Sequence, residues 1–214
     1  MIQLQSFTFN EFQENTYLIY DDTKECVIID PGCYHPHEQQ ELKSFIEYHK
    51  LKPLKLLNTH CHIDHVLGNR FVTEKWNIDL EIHQLDLPTL RSVKDYCQLY
   101  GFHNYEESPE PSKFLCEGEV ISFGNSKLDV LFTPGHAPGH IALHSKDQKF
   151  IIGGDVLFHM SIGRTDLPGG DFDTLLSSIK TKLLPLEEDT LVYCGHGPST
   201  TIGFEKNNNP FLNT

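Results

Sequence analysis

Short apolar runs, separated by glycine, proline and charged positions, recur along the chain at lengths that suit strands. Residues 16–20, 26–30, 54–58, 128–132, 149–153 and 190–194 read as β-strands. Between them the apolar spacing changes to three and four. Leu42, Phe45, Ile46 and His49 follow a start at Pro36, and Leu175, Leu176, Ile179 and Leu183 follow Asp171 or Asp173. Residues 66–76 also read as a helix. Strands and helices interleave, so the expected class is α/β or α+β. Residues 84–117 show weak periodicity and a Pro/Glu/Ser cluster, and read as a lid or an insertion. No linker, repeat or low-complexity tract interrupts the pattern, and one domain over residues 1–214 is expected.

Composition adds exclusions. Seventeen basic against thirty acidic residues give a formal charge of −13, which repels polyphosphate and anionic membrane surfaces. Neither nucleic acid nor membrane is an expected partner. The six cysteines, Cys26, Cys33, Cys61, Cys97, Cys116 and Cys194, form no C-x-x-C pair and no dense framework. With no apolar leader at the start and no apolar run near ~18 residues, a cytoplasmic protein with reduced thiols is expected. The pattern leaves the oligomeric state open.

The strand ends carry the chemistry. Several close on a turn with a polar residue: Asp30-Pro31-Gly32, Thr59-His60, Pro134-Gly135-His136, Gly154-Asp155 and Gly195-His196-Gly197. Groups displayed on loops at one sheet edge commonly build a site. His60, His62, Asp64 and His65 put four ligand-type side chains within six residues. On extended backbone His60 and His62 point to one side, and the turn into the next helix swings Asp64 and His65 to a neighbouring point. One loop thus feeds two metal positions. Four ligands are too few for two ions that keep an open position for water. His136, Asp155 and His196, each after an apolar strand ending in glycine, supply the rest. This nitrogen-and-oxygen set suits zinc, iron or manganese.

His-x-His-x-Asp-His, a later Gly-His, a Gly-Asp after a strand and a final Gly-His, in this order, resemble the metallo-β-lactamase superfamily. More narrowly, residues 59–65, 133–140, 161–171 and 194–198 are similar to the compact glyoxalase II-like branch, whose relatives hydrolyse S-acylglutathione thioesters. The resemblance implies an αββα sandwich with the metals at one edge of the two sheets. It implies two divalent ions, zinc first and iron or manganese as alternatives. His60, His62 and His136 would hold one ion, Asp64, His65 and His196 the other, and Asp155 would bridge them. A hydroxide between the ions, positioned by Asp64 and Asp155, would attack the thioester of a small-molecule substrate. Arg164 is assigned to binding that substrate. Glyoxalase II enzymes generally carry a further C-terminal helical region that helps hold glutathione. Here the residues after His196 contain a single lysine, Lys206, so no such clamp is expected and the thiol and acyl group stay open.

Two other classes compete. An iron-dependent persulfide dioxygenase-like enzyme would need only His60, His136 and Asp155, and a hydrolase of another small ester or lactone would use the same ions. A non-catalytic relative would have an eroded second set. Asp64, His65 and the Gly-His-Gly around His196 favour hydrolysis. Plainer roles are expected for other residues: Cys61 faces away from the metals, His140 is a packed or hydrogen-bonded support, and Asp30 belongs to a turn. Arg164 and Asp166 also read as an ordinary surface ion pair. Tyr100, Phe102 and Tyr105 are either lid aromatics or the apolar underside of an insertion.

Overall fold

The computed structural model describes residues 1–212. It divides into two units, residues 1–115 with 122–126, and residues 116–121 with 127 onward. The first is built on a six-stranded sheet in which β1 (Gln3–Phe9), β2 (Glu14–Tyr20), β3 (Glu25–Ile29), β4 (Lys52–Leu57), β5 (Leu80–His83) and β6 (Lys113–Leu115) lie side by side in chain order. β1 to β3 form an antiparallel meander with Leu18 opposite Ile28, and β3 to β6 run parallel. Parallel neighbours need crossover connections, and helices supply them. α1 (Pro36–His49) joins β3 to β4, α2 (Ile63–Val66) and α3 (Asn69–Trp76) join β4 to β5, and α4 (Leu87–Tyr96) joins β5 to β6. Every residue of β2 is buried, as is all of β3 except Glu25, which accounts for their near-continuous apolar runs.

α1 begins where Pro36 pre-sets a helical φ and the Glu38 carboxylate accepts the His35 and Tyr34 N–H groups at 2.8 and 2.9 Å. It ends at Lys50, whose φ of 55° is left-handed. Its Leu42 and Ile46, one turn apart, enter the core, each worth roughly 1.5–3 kcal/mol of burial. Residues 66–76, expected as one helix, are two pieces. At the break the Gly68 N–H donates to Pro31 O at 2.7 Å, and a Cβ at Gly68 would overlap that oxygen and Cys33 Sγ. The close approach of the β3–α1 turn divides the helix. Residues 84–117 contain α4 and β6, and Leu90, Val93, Cys97 and Phe102 sit in the core of this unit. Phe102 is 1% exposed, whereas Tyr100 is 51% exposed.

A second six-stranded sheet has the order β14-β13-β10-β9-β8-β7. Its strands are β7 (Val120–Phe123), β8 (Ser126–Phe132), β9 (Ile141–Ser145), β10 (Phe150–Gly154), β13 (Leu191–Cys194) and β14 (Thr200–Thr201), with β11 (Leu157–Phe158) and β12 (Ser161–Ile162) as a separate ribbon. β8, β9 and β10 pair antiparallel, and β10 pairs parallel with β13. α5 (Phe172–Ser178) starts at Asp171, whose Oδ1 accepts the Thr174 N–H at 2.8 Å, and runs into a π turn over Ile179–Leu183. Leu175, Ile179 and Leu183 bury the face that their spacing predicts. α6 (Ile202–Asn208) follows β14. Among the described residues no helix is long and apolar enough to cross a membrane.

Candidate metal centre

In the first unit the ligand loop leaves the C-terminal end of β4. Asp30, at the end of the neighbouring β3, fastens it: its Oδ1 accepts the Thr59 N–H at 2.7 Å and its Oδ2 accepts the Thr59 hydroxyl at 2.6 Å. Because that hydroxyl spends its proton on the carboxylate, it accepts from His60 Nδ1, 3.2 Å away. His60 is thereby held with Nδ1 protonated, which makes Nε2 its ligating nitrogen. Further along, Asn58 Nδ2 donates to His65 O at 3.0 Å, and Asn10 Nδ2 donates to Asp64 O at 3.0 Å. The rings of His60 and His65 lie 4.1 Å apart, and those of His60 and His62 4.8 Å apart. His60, His62, Asp64 and His65 are all buried, at 1, 9, 8 and 0% exposure, a costly placement for polar groups without a common partner.

His65 presents its two nitrogens to different carboxylates. Nε2 is 3.6 Å from Asp64 Oδ2, while Nδ1 is 3.2 Å from Asp30 Oδ2 and 3.8 Å from Glu14 Oε1. Burial pushes the Glu14 carboxyl well above the usual carboxylate range, opposed by the adjacent His65. Cys61, between the first two histidines, is buried. Its N–H donates to Asp86 Oδ2 at 2.6 Å, and burial, reinforced by Asp86, holds the thiol well above its ordinary value. A neutral thiol turned to a carboxylate is a poor ligand.

In the second unit three more loops leave strand ends. The turn 133–140 after β8 is closed by Thr133 N donating to His140 O at 2.9 Å. Its Gly135 has a φ of 128°, and a Cβ there would strike the start of α5 at Leu175. His136 Nδ1 donates to Arg164 O at 2.8 Å, so Nε2 is the ligating nitrogen, and it lies 3.5 Å from Asp155 Oδ2. The same Asp155 Oδ2 is 3.5 Å from His196 Nε2, on the loop after β13. One carboxylate oxygen therefore stands between two imidazoles. His140 is a support: its Nε2 accepts the Asp155 N–H at 3.0 Å, and its Nδ1–H donates to Thr133 Oγ1 at 3.1 Å. Gly163 is required by the same crowding, since a Cβ there would overlap Asp155 O and approach His136 Nδ1.

These separations test the fit to metal. Two ligand atoms each ~2.1 Å from one tetrahedral ion lie ~3.4 Å apart, whereas hydrogen bonds span ~2.7–3.2 Å. The pairs at 3.5, 3.5 and 3.6 Å match a shared ion. The donors are imidazole nitrogens and carboxylate oxygens, a set that fits divalent zinc, iron or manganese. Arg164 presents its backbone to this centre. Its side chain is 61% exposed and grips Asp166 with two bonds of 2.7 and 2.8 Å, holding the Asp166 carboxyl down at about 2. Asn10, Thr59 and Gly163 carry no ligand signature, and sequence patterns pass over them. The pairing of Thr59 with the Asp30 turn is the one recognisable signal.

A family model described as the metallo-beta-lactamase superfamily matches residues 9–196, a span that holds every candidate donor. Hydroxyacylglutathione hydrolase GloC of Haemophilus influenzae is 42% identical over 208 residues, covering 95% of this chain and 94% of its own length. The crystal structure of BLEG-1 B3 metallo-beta-lactamase matches with a TM-score of 0.89 at 36% identity, over 99% of this chain and 100% of that one. The crystal structure of TTHA1623 in a di-iron-bound form matches with a TM-score of 0.87 at 38% identity, over 97 and 100%. The fold is thus of the expected α/β class, with the αββα architecture of these neighbours. With its ligand motifs in family order and both sheets matched, the chain belongs to the metallo-β-lactamase superfamily.

Proposed function

We propose that the protein hydrolyses thioesters of the S-acylglutathione type at a two-metal centre. In this reading His60, His62 and His136 hold one ion, Asp64, His65 and His196 hold the second, and Asp155 is shared. The observation that carries it is Asp155 Oδ2 at 3.5 Å from both His136 and His196, the two histidines that the reading assigns to different ions. The similarity to a hydroxyacylglutathione hydrolase supports the substrate class. Zinc is the first candidate and iron the second, the latter supported by the di-iron form of TTHA1623. When bound, the ions lower the pKa of water from ~16 to about 7 and polarise the thioester carbonyl.

The chain's own residues do the rest. His60 and His136 turn their Nε2 atoms inward because Thr59 Oγ1 and Arg164 O take up their Nδ1 protons. Asp64 and Asp155 accept hydrogen bonds from the attacking water and fix its direction. A departing thiolate is a good leaving group and needs little protonation, so no general acid is required of the chain. The reading includes a reducing, cytosolic compartment, in keeping with the free state of all six cysteines.

The test is metal analysis of protein purified without added ions, with turnover of S-lactoylglutathione measured beside a panel of small thioesters and lactones. Two ions per chain with thioester turnover, abolished in His60→Ala and Asp155→Ala, is the expected result. Undiminished hydrolysis by metal-depleted protein refutes the mechanism, and oxygen uptake with glutathione persulfide in place of hydrolysis refutes the reaction class. Arg164→Ala separates the two readings of that residue, since a substrate contact raises KM and a surface ion pair leaves it unchanged.

A further inference from the structure

We infer that Glu14 is a positioning residue for His65, and through it for the second metal position. The inference rests on the reading that His65 is a ligand. Glu14 opens β2 with its side chain fully buried, among strand residues where a carboxylate is costly. It pairs with His65 and with no lysine or arginine among the described residues. Its two oxygens do different work. Oε2 accepts the Thr16 hydroxyl at 2.9 Å, and that hydroxyl in turn accepts the Gly32 N–H at 2.9 Å. Oε1 has no hydrogen-bond partner and lies 3.8 Å from His65 Nδ1.

Asp30 is nearer to the same nitrogen, at 3.2 Å, but both its oxygens already accept from Thr59. The two carboxyl groups face this nitrogen together, and Glu14 Oε1 is the oxygen of the pair that makes no other hydrogen bond. A carboxyl oxygen behind Nδ1 favours the tautomer protonated there and leaves Nε2, on the Asp64 side, to ligate. It also orients the ring. Glycine at position 32 makes room for this arrangement. A Cβ there would overlap Glu14 Oε2 and approach Asn10 Nδ2 and Asp64 O to 2.6 and 2.7 Å. Glu14 thus faces the second ligand set at the His65 ring.

The experiment is stepwise cobalt titration of the metal-free full chain, following the visible absorption of each site, for wild type, Glu14→Ala and Glu14→Gln. The expected result is a loss of second-ion affinity of about 10- to 100-fold in Glu14→Ala, with the first ion unchanged. Glu14→Gln keeps the volume and one oxygen for the Thr16 contact, and then has only an NH2 donor to turn towards His65 Nδ1. It is expected to melt like wild type when metal-free and to lose second-ion affinity to a smaller extent. Unchanged second-ion affinity in both variants overturns the inference. So does an equal loss at both ions that tracks a lowered melting temperature, because that is a folding defect alone. Wild type that takes up fewer than two ions fails the two-metal reading instead, and that result is distinct.

Discussion

His140→Leu isolates the support behind the shared carboxylate without opening a large cavity. His140 is 0% exposed, as is its partner Thr133, and Asp155 is 7% exposed. Leucine removes two hydrogen bonds at once. The buried Asp155 N–H loses its acceptor at 3.0 Å, which costs about 1–3 kcal/mol, and the Thr133 hydroxyl loses its donor at 3.1 Å, about 1 kcal/mol more. A total near 3 kcal/mol corresponds to a fall in melting temperature of about 6–12 °C for a chain of this size. The assay is urea and thermal unfolding of the metal-free protein, which keeps ion binding out of the comparison. Adding Thr133→Val removes the stranded hydroxyl, so the double variant should recover about 1 kcal/mol relative to additivity. A loss below about 1 kcal/mol for His140→Leu, or strict additivity with Thr133→Val, would refute the account of His140 as the link between Thr133 and Asp155.

Two other outcomes follow from the geometry. Gly163→Ala should abolish metal uptake by the second unit's donors, because the added methyl overlaps Asp155 O and presses on His136 Nδ1; two ions per chain in that variant would show that the loop yields. In native protein at pH 8, a thiol reagent should label Cys116 alone, since it is the exposed cysteine while burial pushes Cys26 and Cys194 up to about 12. Labelling of a second residue before unfolding counts against this, and all six should react in denaturant.

The candidate ligand loops were legible because metal chemistry needs particular side chains at particular strand ends, and both leave marks in sequence. The runs at 16–20, 26–30, 54–58, 128–132, 149–153 and 190–194 are the cores of β2, β3, β4, β8, β10 and β13. β9 escaped notice because Ile-Ala-Leu-His-Ser has a weak apolar pattern and follows directly on the metal turn. β1 was hidden because its first four positions are exposed or half-buried. The division of the 66–76 helix depends on Pro31, more than thirty positions away, and no local pattern reports such an approach. Glu14 was illegible for a related reason. A glutamate at the start of a strand reads as a solvated end, and only the tertiary fold reveals it behind His65. The Arg164 carbonyl that takes the His136 Nδ1 proton was illegible because every residue type possesses one.

Asp30 carries a consequence for what evolution can write at one position. Its φ of 50° is tolerated by glycine, asparagine and aspartate far better than by other residues. Its carboxylate must also accept two bonds from Thr59 while facing His65. Glycine satisfies the backbone and offers nothing to Thr59. Asparagine satisfies the backbone but has one acceptor oxygen and no charge, and glutamate has the charge but a longer arm and a poorer left-handed fit. Conformation and chemistry each leave a short list, and the lists share one member. In a saturation library selected for function, the alphabet at this site should contract to a single letter.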